Sequence, residues 1–223
     1  MEMKTKVQTR KVYKINKSLA KKVIKGFFIL FIVMILLIIG IPLAKKCYLS
    51  SWKYHKFKEY NLNIKMPRAY ENLLEDKDGI NINTSAFISE FDVKVNENYV
   101  SKEANTIFKG INMLNGINLM IQCLNTEKTT KTLDEISEGN YLMTMIYYED
   151  NYSIGPLNKE YVKVLNNDTV RNMVDLSNNA GNNTMVTYLI PLEEKEITIT
   201  FFGKKEKISN NLKEIEKIIS EIK

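Results

Sequence analysis

The chain has 223 residues, 44% of them hydrophobic, with 32 Lys or Arg against 26 Asp or Glu and a formal net charge of +6. Nine basic residues (Lys4, Lys6, Arg10, Lys11, Lys14, Lys17, Lys21, Lys22 and Lys25) and one acid, Glu2, stand before Gly26, which is +8, so the rest of the chain is net −2. A remainder of that sign lacks the broad positive field that phosphate backbones require, which excludes a nucleic-acid partner for it.

In chain order, residues 1–25 form a basic tail. Residues 26–44, GFFILFIVMILLIIGIPLA, carry no charge, and fourteen of the nineteen are Phe, Ile, Leu or Val. As a helix they would reach roughly 28 Å, close to the ~30 Å hydrocarbon thickness of a bilayer. Their insertion is favourable by on the order of −6 kcal/mol. A buried soluble helix rarely runs this long without a polar residue, so the pattern predicts a transmembrane helix. The positive-inside rule puts the tail in the cytoplasm and the C-terminal part outside, with Lys45 and Lys46 opposing only weakly. The run exceeds a signal-peptide core, and Pro42-Leu43-Ala44-Lys45 lacks the first small residue of a cleavage site. An uncleaved, single-pass signal anchor is expected.

Residues 45–58 hold Tyr48, Trp52, Tyr54 and Phe57 among five lysines. Such rings and snorkelling side chains suit a membrane interface, and the stretch is expected as a juxtamembrane stalk. Residues 59–223 are enough for one extracytoplasmic domain with its own core. Leu62, Ile64 and Met66 alternate with polar residues and predict a strand. Pro67 is expected to open a short helix to about Leu74. The Lys77-Asp78-Gly79 turn leads to expected strands near 79–84 and 87–95. Ala104, Ile107, Phe108, Ile111 and Leu114 share one face of an expected helix over 101–114. Ile117–Leu124 reads as a buried strand.

Thr132-Leu-Asp-Glu135 fits a capping box opening a helix with Leu133, Ile136, Met143 and Ile146, although Gly139 weakens it. Strands Tyr161–Leu165 and Val170–Leu176 flank an Asn166-Asn167-Asp168 turn. Strands Met185–Ile190 and Glu196–Phe202 form a second hairpin. Ile208, Leu212, Ile215, Ile218, Ile219 and Ile222 mark a closing helix. Hairpin strands with helices at defined points argue for an α+β fold, an antiparallel sheet flanked by helices.

The opening Tyr60-Asn-Leu-Asn-Ile-Lys-Met-Pro67 and the end, paired strands over Thr184–Phe202 followed by the Ile-striped helix, resemble PsbP/Mog1-like domains. The resemblance covers roughly 60–223. It implies an α/β/α sandwich that serves as a binding or assembly module. It brings no catalytic signature, so no residue inherits a role.

No catalytic, cofactor-binding or metal-binding residues are expected. The single histidine, His55, lies in the expected stalk without further ligands, whereas a metal site needs three or four. Asn151-Tyr-Ser153-Ile-Gly155 misses the nucleophile elbow at its first glycine, and no histidine follows Ser153. Asp76-Lys-Asp78-Gly79-Ile-Asn81 resembles part of a calcium loop, but Leu74 and Ser85 stand where carboxylates belong. Gly110 and Gly116 have the wrong spacing for a phosphate loop. Cys47 and Cys123 both fall outside the membrane, where a disulfide is permitted, but Cys123 reads as a small core hydrophobe. Four Asn-x-Ser/Thr sequons, at Asn83, Asn151, Asn167 and Asn182, matter only in a eukaryotic secretory route.

The expected function is therefore a non-enzymatic, membrane-anchored module on a bacterial-type surface, with the lipid bilayer and an unidentified protein as partners. Two other classes compete with it. A pilin-like subunit is suggested by Lys25-Gly26-Phe27, but Phe31 stands where pilins carry Glu. An enzyme with an unfamiliar carboxylate or tyrosine site is the other. Protease shaving of intact cells should remove the 59–223 domain and spare an epitope on the basic tail. Loss of the tail epitope with the domain protected would reverse the orientation.

Overall fold

The structure, a computed structural model, describes residues 17–73, 104–125, 131–193 and 195–223. It divides into two compact units, Met1–Cys47 and Tyr48–Lys223. The expected strands near 79–84 and 87–95 and the Asp76–Asn81 loop lie outside the described residues.

Helix α1 runs from Lys17 to Ser50 with Pro42 inside it. Its stretch Ile24–Ser50 is long and apolar enough to cross a membrane. The large apolar side chains between Ile24 and Leu43 are exposed, so among the described residues no protein core accounts for them.

Unit Tyr48–Lys223 begins with the end of that helix, and here the stalk expected over 45–58 is corrected. Trp52–Phe57 form strand β1. It pairs antiparallel with β2, Leu62–Pro67, in the register Trp52↔Pro67 to Phe57↔Leu62. A 3-10 turn at Lys58–Tyr60 and a left-handed Asn61 (φ 45°) join them. Partial burial of Trp52, His55 and Phe57 within Trp-Lys-Tyr-His-Lys-Phe explains the switch. Trp52 and Phe57 pack against the domain core, a gain that a solvated stalk would forgo.

The main sheet has eight antiparallel strands: β3 (Tyr70–Asn72), β4 (Ala104–Asn112), β5 (Asn118–Asn125), β6 (Ser153–Ile154), β7 (Asn158–Val164), β8 (Asn167–Asn178), β9 (Gly181–Pro191) and β10 (Lys195–Lys204). Their order is β3-β4-β5-β10-β9-β8, with β6 and β7 both paired to β8. Helices α2 (Leu133–Tyr148) and α3 (Lys205–Ser220) complete the domain.

Two sequence expectations fail for identifiable reasons. Pro67 is followed by a turn and β3, not by a helix. The Arg68 N–H donates to the Ser51 carbonyl and the Ala69 N–H to that of Leu49, both at 2.8 Å, while the Ala69 carbonyl accepts from Met113 N–H at 3.0 Å. These long-range bonds outcompete a local helical turn. The helix expected over 101–114 is strand β4. A bulge between Thr106 and Phe108 shifts the alternation by one residue. The sequence pattern then imitates the three-and-four spacing of a helix.

The alternation of β9 and β10 builds two cores. Val186, Tyr188, Ile190, Ile197, Ile199 and Phe201 face one side, where they meet Leu62, Ile64 and Met66 of β2 and Ile208, Ile215, Ile218 and Ile219 of α3. The C-terminal segment also bonds to β2: Ile222 bridges Ile64, and Asn63 and Lys223 exchange backbone hydrogen bonds at 2.8 Å. On the opposite face Ile136 of α2 packs with Val170 and Leu189, and Leu176, Met185 and Phe202 with Tyr148. A buried polar knot holds α2 there: Ser137 Oγ donates to Asn172 Oδ1 at 2.6 Å, and Asn172 Nδ2 donates to the Ser137 carbonyl at 3.1 Å. The result is an α/β/α sandwich.

Local chemistry supports the predicted elements that hold. The Thr132/Glu135 capping box is present in both directions. The β7–β8 hairpin turns on Leu165 and Asn166, both at positive φ (53° and 63°), the pattern of a two-residue I′ turn. Leucine is disfavoured there, but its side chain packs against the core.

Gly110 stands where β3 meets β4. A Cβ on it would lie 2.4 Å from the Glu71 carbonyl oxygen and 2.8 Å from the Phe108 ring. Gly110→Ala should destabilise the full-length protein in detergent by about 1–3 kcal/mol through overpacking, read as a lower urea midpoint. An unchanged midpoint would mean that β3 can move away without cost.

Candidate functional site

A cleft of about 240 Å³ opens in unit Tyr48–Lys223 between the end of α1, β1, β3 and the β4–β5 turn. The tertiary bonds of the Arg68–Ala69 turn create it, because they hold β3 against the helix end and the Met113 turn. Arg68 stands over the Tyr48 ring, 5.1 Å from its centroid, and its Nη1 donates to the Tyr48 hydroxyl at 3.3 Å. Lys53 and Glu71 also line the cleft, so its charged groups are two cations and one carboxylate.

Tyr70 is buried in the cleft wall, with 2% of its surface exposed. Burial pushes its hydroxyl pKa far up. The nearby Glu214 carboxylate adds to the rise, and Asn112 opposes it. Asn112 Nδ2 donates to Glu214 Oε1 at 3.3 Å. Asn112, which faces Tyr70 across the β3–β4 ladder, is thereby tied to helix α3. The Glu214 carboxyl is itself raised by burial, with Lys217 pulling it back.

His55 is not the solvated interface residue expected from the sequence. Strand β1 places it opposite Ile64, on the inward side. Its ring meets the Phe108 ring edge-on at 5.4 Å, and it lines the cleft. The error follows from the stalk assignment, since a strand there orients alternate residues inward. Ser153 is exposed in the two-residue strand β6, not in a loop. Cys47 is an exposed thiol and Cys123 a buried one, whose pKa burial raises. Of the sequons, Asn83 lies outside the described residues, and Asn167 and Asn182 lie in hairpin strands.

A tyrosine base needs a lowered pKa. Burial instead pushes Tyr148 up to about 12, with Tyr152 adding to the rise. Asp134 is exposed and held low by hydrogen bonds from Lys159 and Tyr161. Among the described residues no group of three His, Cys, Asp or Glu is placed to hold a metal ion. The cleft's lining places stacked aromatic and cationic groups beside amide and carboxylate side chains. Arg68 and Tyr70 escaped the sequence reading because they are twenty or more residues from their partners Tyr48 and Asn112.

The raised Glu214 gives a signed pH dependence. A carboxyl whose pKa rises on folding contributes its stability below the unfolded value and loses it as pH climbs through the folded value. Glu214→Gln keeps the neutral form and an oxygen for Asn112. Its gain in melting temperature over wild type should therefore be larger at pH 8 than at pH 4. Equal gains at both pH values would remove the burial penalty from the explanation.

No family model matches the chain, and no curated protein does. Among solved structures, the solution structure of cyanobacterial PsbP (CyanoP) from Synechocystis sp. PCC 6803 superposes with a TM-score of 0.56 at 9% identity, covering 78% of this chain and 92% of that one. The Saccharomyces cerevisiae Ran-binding protein Mog1p gives a TM-score of 0.47 at 8% identity over 78% of this chain and 95% of that one. At such identities the likeness is one of architecture. The domain carries the PsbP/Mog1-like fold that its opening strand and its closing hairpin and helix implied.

Proposed function

We propose that this chain is a single-pass, membrane-anchored binding or assembly module without catalytic activity. Its basic tail is cytoplasmic, and its α+β domain, over 59–223 with β1 added, is extracytoplasmic. Support for the anchor comes from the exposed apolar surface of Ile24–Leu43, which only an apolar solvent would stabilise. Orientation rests on the nine basic residues before Gly26.

The observation that carries the binding role is the Tyr48/Arg68 cleft. Its 240 Å³ falls below the ~300 Å³ at which small-molecule sites begin. That space suits one or two side chains of a protein partner rather than a cofactor. A guanidinium stacked on an aromatic ring is also a common interface anchor. The partner segment would present a carboxylate or carbonyl oxygens to Arg68 and Lys53.

In-cell photocrosslinking tests this. A photoreactive amino acid in place of Met113, at the rim, should capture one recurrent membrane or surface protein. Arg68→Ala should reduce that adduct by about tenfold, the loss of roughly 1.4 kcal/mol of binding. A scattered set of adducts, or one insensitive to Arg68→Ala, would defeat the proposal.

A further inference from the structure

The register of the β1–β2 hairpin separates two chemically distinct faces. His55 and Phe57 lie opposite Ile64 and Leu62 and turn inward, half-buried, while Lys53, opposite Met66, is exposed. Tyr54 and Lys56 lie opposite Lys65 and Asn63 and form the outward face, with Trp52 at its edge, half-buried and also touching the core. The C-terminal segment extends that face. Because Ile222 bridges Ile64, Lys223 falls beside Asn63 and Glu221 beside Lys65.

Ammonium groups cap the two rings. Lys65 and Lys223 stand 5.4 and 5.8 Å from the Tyr54 centroid, and Lys217 of α3 stands 4.4 Å from that of Trp52. Tyr54 remains 43% exposed, and Lys56, Lys217 and Lys223 are exposed. Among the described residues, four lysines thus meet the Glu221 carboxylate and the α-carboxylate of Lys223 on a surface carrying two amphipathic rings. The remainder of the chain after Gly26 is net negative, so this is a local concentration of positive charge.

We propose that this face docks on a layer of anionic lipid headgroups. Charge complementarity and the paired Trp and Tyr fit the interfacial zone, where aromatic rings and snorkelling lysines are stable. The chain length fits as well. Trp52 follows Ser50, the end of the apolar helix, by two residues. The proposal rests on Ile24–Ser50 being the membrane span, and the experiment separates the two claims.

Trp52 is the chain's one tryptophan and reports from the face itself. Full-length protein is reconstituted in nanodiscs of phosphatidylcholine, with or without phosphatidylglycerol, each containing lipid brominated near the headgroup. Retention in the discs reads the anchor, and Trp52 quenching reads the docking. Quenching should be several-fold greater in the anionic discs, since each lysine near such a surface is worth roughly fivefold in occupancy. It should fall towards the neutral-disc level in high salt. Lys56→Glu combined with Lys223→Glu should lose most of the difference, and the milder pair Lys56→Gln with Lys223→Gln a smaller share. Protein retained in both discs but quenched equally would overturn the docking alone and leave the face to an acidic protein partner. Charge-reversed protein quenched like wild type would also overturn it. Loss of the protein from both discs would overturn anchor and docking together.

Discussion

The Ile stripe of α3 and the inward side chains of β2 meet the same row of sheet residues, and this shared burial organises the domain. Ile208, Ile215, Ile218 and Ile219 come from one end of the chain, and Leu62, Ile64 and Met66 from the start of the domain. Both cover Ile197, Ile199 and Phe201 of β10, which are fully buried. Each such side chain contributes roughly 1.5–3 kcal/mol relative to exposure. Neither cover could be removed without exposing the other's edge, because Ile222 and Ile64 are joined through the backbone.

That closure positions the β1–β2 hairpin. Pinning β2 against α3 fixes β1, since the two strands share a continuous register. The β1–β2 hairpin then has one face committed to the core and one left to solvent. Arg171 reinforces the same layer. It pairs with Glu160 of β7 and, at 2.9 Å, with Glu216 of α3. On the opposite face α2 relies less on apolar area. Its attachment through Ser137 and Asn172 consists of buried hydrogen bonds, which fix orientation because a misplaced partner would leave buried polar atoms unsatisfied.

The cleft depends on a different constraint, the turn at Arg68–Ala69. Its backbone groups bond to Ser51, Leu49 and Met113 rather than to near neighbours. Tyr48, Arg68 and Tyr70 are thereby gathered from the end of a helix, a turn and an edge strand. Gly110 is required at this junction because β3 crowds β4 too closely for a side chain. Asn112, the ladder partner of Tyr70, donates to Glu214 of α3, so the strand beside the cleft is tied to the helix of the core layer.

Most elements governed by local pattern were legible in the sequence. These include the apolar helix, the capped helix at Thr132, the hairpins of β7–β8 and β9–β10, and the Ile-striped α3. Each is specified by side-chain periodicity or capping within a short window, where the physics is local. Tertiary structure decided what lies between. It made β1 from an apparent stalk, because core burial of Trp52 and Phe57 outweighed their interface-like composition. It made β4 from a helical pattern, because a bulge realigned the alternation, and it replaced a Pro67 helix by long-range backbone bonds. The cleft was invisible for the same reason. Its residues acquire meaning only when bonds across seventeen or more positions bring them together, and no short-range rule encodes that proximity.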